Sequence, residues 1–465
     1  MAHMERERIL IISHSYTPFI NPRAFRWSAI AECWTRQGLK VDVITSWLPG
    51  LRRFEISNGV EIHRIGGSVI ERLRAILRPK SRATTADNSP RAGKVQPSLI
   101  SKISGWTLAI AKFVNDRIWK NIYWPDYACL WIGFASTKAL ELCAMERYST
   151  IISVSDPFSS HLAGKSVKLH YPEINWLVDI GDPFCFRHDN PTNNHTLYGK
   201  LNYRKERQIF EMADTISVTT ETTLRKYAEL FASAAGKMTV IPPLMTEPAR
   251  ASDGKRVLSE NENIKMIYVG TLYRSIRNPE YLLKLFKSLL STHGNMNIEL
   301  HFFGGYDDCR DIFEPYQLLL ADKLVLYGLV NRTKVSKAML EADILINIGN
   351  DNSYQLPSKL VEYARLGKPI VNLHSIDDDS SKEFLKEYPA ILNLDTRPNS
   401  SVEEQVRKLA DFINRLPISV SENFLQNWRK QFGVETIANE YARLIHGESK
   451  LREVSANKAH LEQYS

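Results

Sequence analysis

Short, uniformly apolar runs bounded by turn residues recur along the first half of the chain. They are RILIISH, KVDVITS, TIISVS (150–155), INWLVDIGD (174–182) and TISVTT (215–220). Runs of this length without a polar stripe predict strands buried on both faces. The segment RAFRWSAIAECWTRQG has a different period. Its apolar positions Phe25, Ala29, Ile30 and Cys33 return at helical spacing, and Gly38 closes it, so a helix is predicted. Strand and helix patterns alternate in this way up to about residue 243, which predicts a doubly wound α/β domain.

The polar stretch LMTEPARASDGKRVLSENEN interrupts the rhythm at 244–263 and reads as a linker. The pattern then restarts over 264–430. IKMIYVG, NIELHFFGG, LVLYGLV, DILINIG and PIVNL are strand-like, with helical segments between them. Two similar α/β domains in tandem are therefore expected. Residues 431–448 hold an amphipathic helix with Ile437, Ala438, Tyr441, Leu444 and Ile445 on one face. This helix is expected to return to the N-terminal domain. A polar tail fills 449–465.

The stretch YQLPSKLVEYARLGKPIV lies between the strands DILINIG and PIVNL and predicts a helix of about three turns. A helix start carries unpaired N–H groups and about half a positive charge. At the carboxyl end of a strand in an open α/β sheet, such a start suits a phosphate. Ser358 adds a hydroxyl and Lys359 a cation. Glu362, one turn on, would repel a phosphate but can accept hydrogen bonds from vicinal hydroxyls. Together they fit a ribose diphosphate. The same residues also fit a plain reading, with Ser358 a cap and Glu362 favourable to the helix dipole.

Length and charge narrow the picture. A chain of 465 residues exceeds one ordinary core. No apolar run reaches 18 residues, so no spanning helix is expected. The opening residues run straight into a strand without the apolar core of a secretion signal, and the five cysteines are scattered without a CxxC pair. A cytoplasmic location without disulfides or structural zinc is the expectation. The net charge of +8 favours an anionic partner without naming it. Much of the excess falls in a basic insertion at about 66–105, followed by an amphipathic run with Trp106, Trp119 and Trp124. Two readings of 66–125 stand. One is a surface insertion with a helix packed on its own domain, the other an interfacial helix on an anionic membrane surface.

Several motifs carry a resemblance. YVGTLYRSIRNPEYLL, YGLVNRTKVSKAMLEADILIN and LPSKLVEYARLGKPIV occur in the second half. YTPFINPRAFRWSAIAECWTRQGLKVDVIT, WPDYACLWIGFAS, SVSDPFSSHLAG, WLVDIGDPF and EMADTISVTTET occur in the first. In this order they resemble retaining GT-B glycosyltransferases of family 4, in a bacterial surface-polysaccharide branch. The resemblance implies two Rossmann-like doubly wound domains facing across a cleft. It also implies a nucleotide-sugar donor and a glycan or lipid-linked acceptor, with no nucleic acid. Neither a metal nor a cofactor beyond the co-substrate is implied, and the place of work is the cytoplasm or the inner membrane face.

The family pattern of two glutamates separated by seven residues puts its second, ribose-binding glutamate on Glu362. The first falls on Tyr354, a departure at the position that contacts the donor sugar. Of the paired Arg and Lys that neutralise the diphosphate, Arg277 takes the place of the Lys. The Arg position falls near Thr271, with Arg274 as its substitute. Gly270, Tyr327, Gly328, Leu356, Pro357 and Ser358 complete the implied nucleotide-sugar site. Arg277, Lys359 and the helix start would share the leaving-group charge.

In the first half, Asn21 and Pro22 are placed to start a helix that carries Arg23 and Arg26 on its first turn. Both are candidates for phosphate contact, or plain surface arginines. Asp179 and Asp182 in WLVDIGDPF are candidates for acceptor hydroxyls, or turn formers before Pro183. His161 is a further cleft candidate, or a structural histidine. The acidic run in SIDDDSSKE follows a strand and reads as a solvated charge run, not a metal motif. Two other classes share the expected fold: a nucleotide-sugar epimerase, which needs no acceptor, and a non-catalytic scaffold.

Overall fold

The structure, a computed structural model, describes residues 7–19, 21–66, 120–188, 191–245, 256–357 and 359–447. The basic insertion with Trp106 and Trp119 lies outside the described residues, as does Ser358. The chain divides into two compact units. One comprises the chain to Thr219, Leu224–Ile241 and the chain from Ile437; the other comprises Thr220–Thr223 and Pro242–Thr436.

The first unit is built on β1 (Arg8–Ser13), β2 (Lys40–Ser46), β3 (Phe54–Ser57), β4 (Val60–Ile65), β5 (Thr150–Val154), β6 (Asn175–Asp179), β7 (Thr215–Val218) and β8 (Met238–Val240). Their order in the sheet is β3-β4-β2-β1-β5-β6-β7-β8. All neighbours are parallel except β3, which runs antiparallel to β4. The β3–β4 hairpin turns on Asn58 and Gly59, at φ 50° and 84°. Positive φ at both turn residues is the geometry that Asn-Gly favours. β1 and β5 are buried along their whole lengths, as their apolar runs require. Leu10 and Ile12 belong to a core with Trp131, Ala135 and Ala139 of the helix Trp131–Met145. At the amino-terminal edge of the strands, Arg8 pairs with Asp42, Glu61 and Glu146 at 2.7, 3.3 and 3.0 Å. Asp42, Glu61 and His63 form the one His/Asp/Glu group of metal-like proximity among the described residues, and Arg8 already neutralises it.

The helix Pro22–Arg36 starts where Asn21 caps it, the Asn21 carboxamide accepting from the Ala24 amide at 2.8 Å. Its buried face keeps Ile30 and Cys33 of the expected one but turns away from Phe25 and Ala29. Trp27, Ile30, Ala31, Cys33 and Trp34 are buried, while Phe25 and Ala29 are only half-buried. The shift follows from the helix Val434–Ile445, whose residues from Ile437 on belong to the same unit: Trp34 Nε1 donates to the Ala438 carbonyl at 3.1 Å. That last helix buries Ile437, Ala438, Tyr441, Leu444 and Ile445, the face its period marks.

The second unit has β9 (Ile264–Val269), β10 (Ile298–Phe303), β11 (Leu324–Gly328), β12 (Ile344–Ile348), β13 (Ile370–His374) and β14 (Ile391–Asp395). The order is β11-β10-β9-β12-β13-β14, all parallel. This is the 3-2-1-4-5-6 order of a dinucleotide-binding sheet. Alternate residues of each strand enter opposite layers. Met266, Tyr268, Leu300 and Phe302 join one core, and Ile267, Val269, Phe303 and Leu345 the other. Each fully buried large side chain contributes about 1.5–3 kcal/mol.

Some boundaries differ from expectation. β6 stops at Asp179 and β11 at Gly328, short of the apolar runs that mark them. The helix in the 354–371 stretch covers only Lys359–Arg365, seven residues and not about three turns. Positions 350–357 form a loop, because Asn350 and Asn352 bond to Gln355 and hold the backbone out of helix. No helix among the described residues is long and apolar enough to cross a membrane.

Candidate functional site

In the second unit the strand order reverses between β9 and β12, and their carboxyl ends form the crevice where such sheets bind ligands. β9 ends at Gly270. The next loop, after β10, approaches so closely that a Cβ on Gly304 would overlap the Gly270 carbonyl. Gly304 holds φ at +136°, open only to glycine. Tyr363, from the helix Lys359–Arg365, accepts from the Val269 amide at 2.8 Å and ties that helix to the end of β9.

Two groups of polar side chains stand at these ends. The first centres on Arg277, whose Nε donates to Asn350 Oδ1 at 2.6 Å. Burial pushes the Tyr268 hydroxyl up in pKa, and the Arg277 guanidinium partly offsets the shift. The second group is an ion pair within one helical turn. Lys359 Nζ lies 2.7 Å from Glu362 Oε2, and Arg332 Nη2 lies 3.9 Å from Glu362 Oε1. The side chains of Lys359, Glu362 and Arg332 are 31, 21 and 38% exposed, so all three meet solvent. The sequence separated Lys359 and Glu362 into two roles; the structure pairs them directly.

The remaining candidates of this unit fall into different settings. Arg274 is half exposed and bonded to Asp311 at 2.5 Å, with its amide on Asp308. Tyr327 stacks on Phe303, centroids 4.0 Å apart, and its hydroxyl reaches the Val257 carbonyl. Gly328 ends β11 at φ +64°. Tyr354 and Leu356 are half-buried and Pro357 is buried in the loop that leads to the helix. The SIDDDSSKE run is only partly solvated, which corrects the reading above. Asp377 and Asp378 are exposed, but Asp379 is buried and caps the helix Ser380–Phe384, accepting from the Lys382 amide at 2.7 Å.

In the first unit the structure converts most candidates into scaffold. Asp179 is buried and accepts four hydrogen bonds. Ser217 Oγ and the Tyr441 hydroxyl donate to Oδ1 at 2.8 and 2.7 Å, Trp27 Nε1 and Arg23 Nη1 to Oδ2 at 2.8 and 3.1 Å. Burial opposes its charge, but Arg23, Arg26 and these donors hold its carboxyl below the usual range. Arg26 is buried and donates to the Tyr441 hydroxyl and the Ile241 carbonyl. Arg23 also donates to Thr219 and lies against Gly181, where any Cβ would overlap the guanidinium. His161 is wholly buried, with Nδ1 2.8 Å from Ser153 Oγ, and burial pushes its pKa down to about 3. It is a neutral core histidine. Asp182 is the most exposed of this group, its side chain 34% exposed and 3.5 Å from Arg187.

Sequence reasoning passed over Arg332, Asn350 and Tyr268. Arg332 had a legible signal: Asn331 caps the helix Arg332–Glu341 directly after β11, so Arg332 begins a helix at a strand's carboxyl end. Asn350 had none, because its role exists only through Arg277, 73 residues away.

No protein-family model matches the chain, and no curated protein matches it. Solved structures do. The chain is similar to sucrose-phosphate synthase (tll1590) from Thermosynechococcus elongatus, with a TM-score of 0.62 and 15% identity over 96% of this chain and 99% of that one. It is similar to a glycosyltransferase from Rickettsia africae ESF-5, with a TM-score of 0.53 and 11% identity over 96% and 100%. A putative UDP-N-acetylglucosamine 2-epimerase from Listeria monocytogenes gives 0.50 and 11% over 98% and 97%. With the two parallel sheets, these likenesses define the fold as GT-B, two Rossmann-like α/β domains in one chain.

Proposed function

We propose that the chain is a glycosyltransferase that moves a sugar from a nucleotide-sugar donor to a glycan or lipid-linked acceptor of a bacterial surface polysaccharide. The observation that carries this reading is the grouping of Arg277, Lys359, Arg332 and Glu362 at the carboxyl ends of the 3-2-1-4-5-6 sheet. Cations there meet a diphosphate, and Glu362 accepts from ribose hydroxyls once the diphosphate draws Lys359 from it. Breaking the sugar–phosphate bond builds charge on the leaving diphosphate, and fixed cations stabilise that charge more than the ground state. Loss of one such donor costs about 3–4 kcal/mol of barrier. Arg277 and Lys359 carry this charge themselves, so the transfer is proposed as metal-independent. The resemblance to family 4 supports retention, with the acceptor attacking the face the diphosphate leaves. The same resemblance supports a cytoplasmic enzyme at the inner membrane face.

The test incubates the protein with a panel of nucleotide sugars and lipid-linked or oligosaccharide acceptors. Acceptor-dependent nucleotide release, undiminished by chelator, is expected, with the product anomer matching the donor by NMR. An inverted anomer or metal-restored activity overturns the mechanism. A second reading, an epimerase, has the whole-length likeness to the Listeria structure in its favour. A changed sugar on an intact nucleotide without acceptor would select it.

A further inference from the structure

Arg277 is held differently from four other arginines of its unit. Arg274, Arg310, Arg397 and Arg429 each sit within 2.5 to 2.8 Å of a carboxylate. Arg277 is held by an amide. Its Nε donates to Asn350 Oδ1 at 2.6 Å, and no ion pair with a carboxylate involves it among the described residues. Asn350 is 1% exposed and fixed in turn. Its Nδ2 donates to the Gln355 carbonyl at 2.9 Å, which also receives the Ser380 hydroxyl at 2.7 Å. The two segments are also joined through backbone, where the Asp351 amide donates to the Ile276 carbonyl at 3.1 Å. The guanidinium also acts on the Tyr268 hydroxyl, favouring its ionised form against the effect of burial. That hydroxyl fits because residue 270 is glycine: a Cβ there would stand 2.9 Å from Tyr268 Oη.

The chemistry of the partner matters. An aspartate at 350 would bind the guanidinium more strongly, since a charge-assisted bond outweighs a neutral one. It would also cancel the charge that an anionic ligand needs. An asparagine fixes the orientation through Nε and leaves the positive charge uncompensated. We infer that Asn350 is a positioning residue for Arg277, holding its guanidinium in an anion-binding pose by a neutral acceptor that keeps its charge for a diphosphate. The inference rests on the reading of Arg277 as a diphosphate ligand.

Calorimetry on the full chain, with UDP, GDP and inorganic pyrophosphate as probes, tests it. The proteins are wild type, Asn350→Asp, Asn350→Ala, Arg277→Ala and the double variant Asn350→Ala/Arg277→Ala, each first checked for a native thermal transition. Asn350→Asp is expected to weaken the best-bound probe at least about tenfold, as for loss of a charged hydrogen bond. Asn350→Ala, which loses only orientation, is expected to weaken it about three- to tenfold. The double variant is expected to bind no worse than Arg277→Ala alone, because residues that act as one unit are not additive. Wild-type affinity in either Asn350 variant overturns the inference, as does an additive loss in the double variant, which would mark a merely structural role. If wild type binds none of the three probes, the reading of Arg277 itself fails, a result distinct from either.

Discussion

Asp179 shows how a single residue can look functional in sequence and be structural in the fold. An aspartate at the carboxyl end of a strand is where an acceptor-binding group would sit, but its lone pairs already serve Ser217, Tyr441, Trp27 and Arg23. Those partners stand 38 to 262 positions away, so no local pattern announces them. Removing the carboxylate leaves Arg23 and Arg26 without their buried counter-charge, and breaking such a pair costs about 3–5 kcal/mol. Asp179→Ala is therefore expected to lower the unfolding free energy of the first unit by that amount, and its urea midpoint in proportion. Asp179→Asn is expected to cost less, because the amide still accepts through one oxygen. An unchanged midpoint together with a raised acceptor KM would restore Asp179 to the acceptor site. Glu362 stands at the opposite pole, since its pairing with Lys359 is partly exposed and sequence-local. Glu362→Gln is expected to weaken nucleotide binding by about 1.5–3 kcal/mol with the fold intact. Unchanged affinity by calorimetry would remove it from the ribose site.

At the scale of elements, the helix Ser159–His170 shows a start supplied from elsewhere in the chain. Its own preceding residue, Phe158, offers no side-chain cap. Asp126, from WPDYACLW, accepts from the Ser159 amide at 2.8 Å and the Ser159 hydroxyl at 2.6 Å. Its position is fully buried, and burial outweighs these bonds, raising its pKa from 3.8 to about 6. A carboxyl raised in the folded state contributes its full stability below pH 3.8 and loses it as pH climbs through about 6. The loss amounts to about 3 kcal/mol. The Tm difference between wild type and Asp126→Asn is expected to shrink from pH 4 to pH 7; a constant difference would show that Asp126 does not titrate there. Legibility followed the same divide. The buried strands were readable because parallel sheets covered on both faces leave uniformly apolar runs. The ladder of Asn347, Asn372 and Asn393 across β12, β13 and β14 was not, because cross-strand amides show only once register is known. The Asn58–Gly59 hairpin carried a readable turn signal that the apolar pattern overshadowed. The helix Lys359–Arg365 was overestimated because the apolar period continued back through a loop held by asparagine side chains.

For the whole molecule, both ends of the described chain belong to the first unit, although all of the second unit lies between them. The helix that closes the first unit is therefore made only after every strand of the second unit. Its Ile437, Tyr441, Leu444 and Ile445 are buried, each contributing about 1.5–3 kcal/mol, an upper estimate because an unfolded chain already hides some surface. Tyr441 also bonds Asp179, Ala438 accepts from Trp34, and the Ile445 carbonyl accepts from Asn175 at 3.0 Å. The sum, on the order of 6–12 kcal/mol, is comparable with the whole stability of an ordinary domain. A chain ending at Gly433 keeps the contact between the Met245 amide and the Phe432 carbonyl, so the second unit retains its own closure. That truncation is expected to abolish the cooperative unfolding of the first unit while the second still melts and still binds nucleotide. Thermal unfolding followed with unit-specific proteolysis reads both. Two intact transitions would mean that the first unit is stable without its last helix, and that the Asp179 network does not depend on Tyr441.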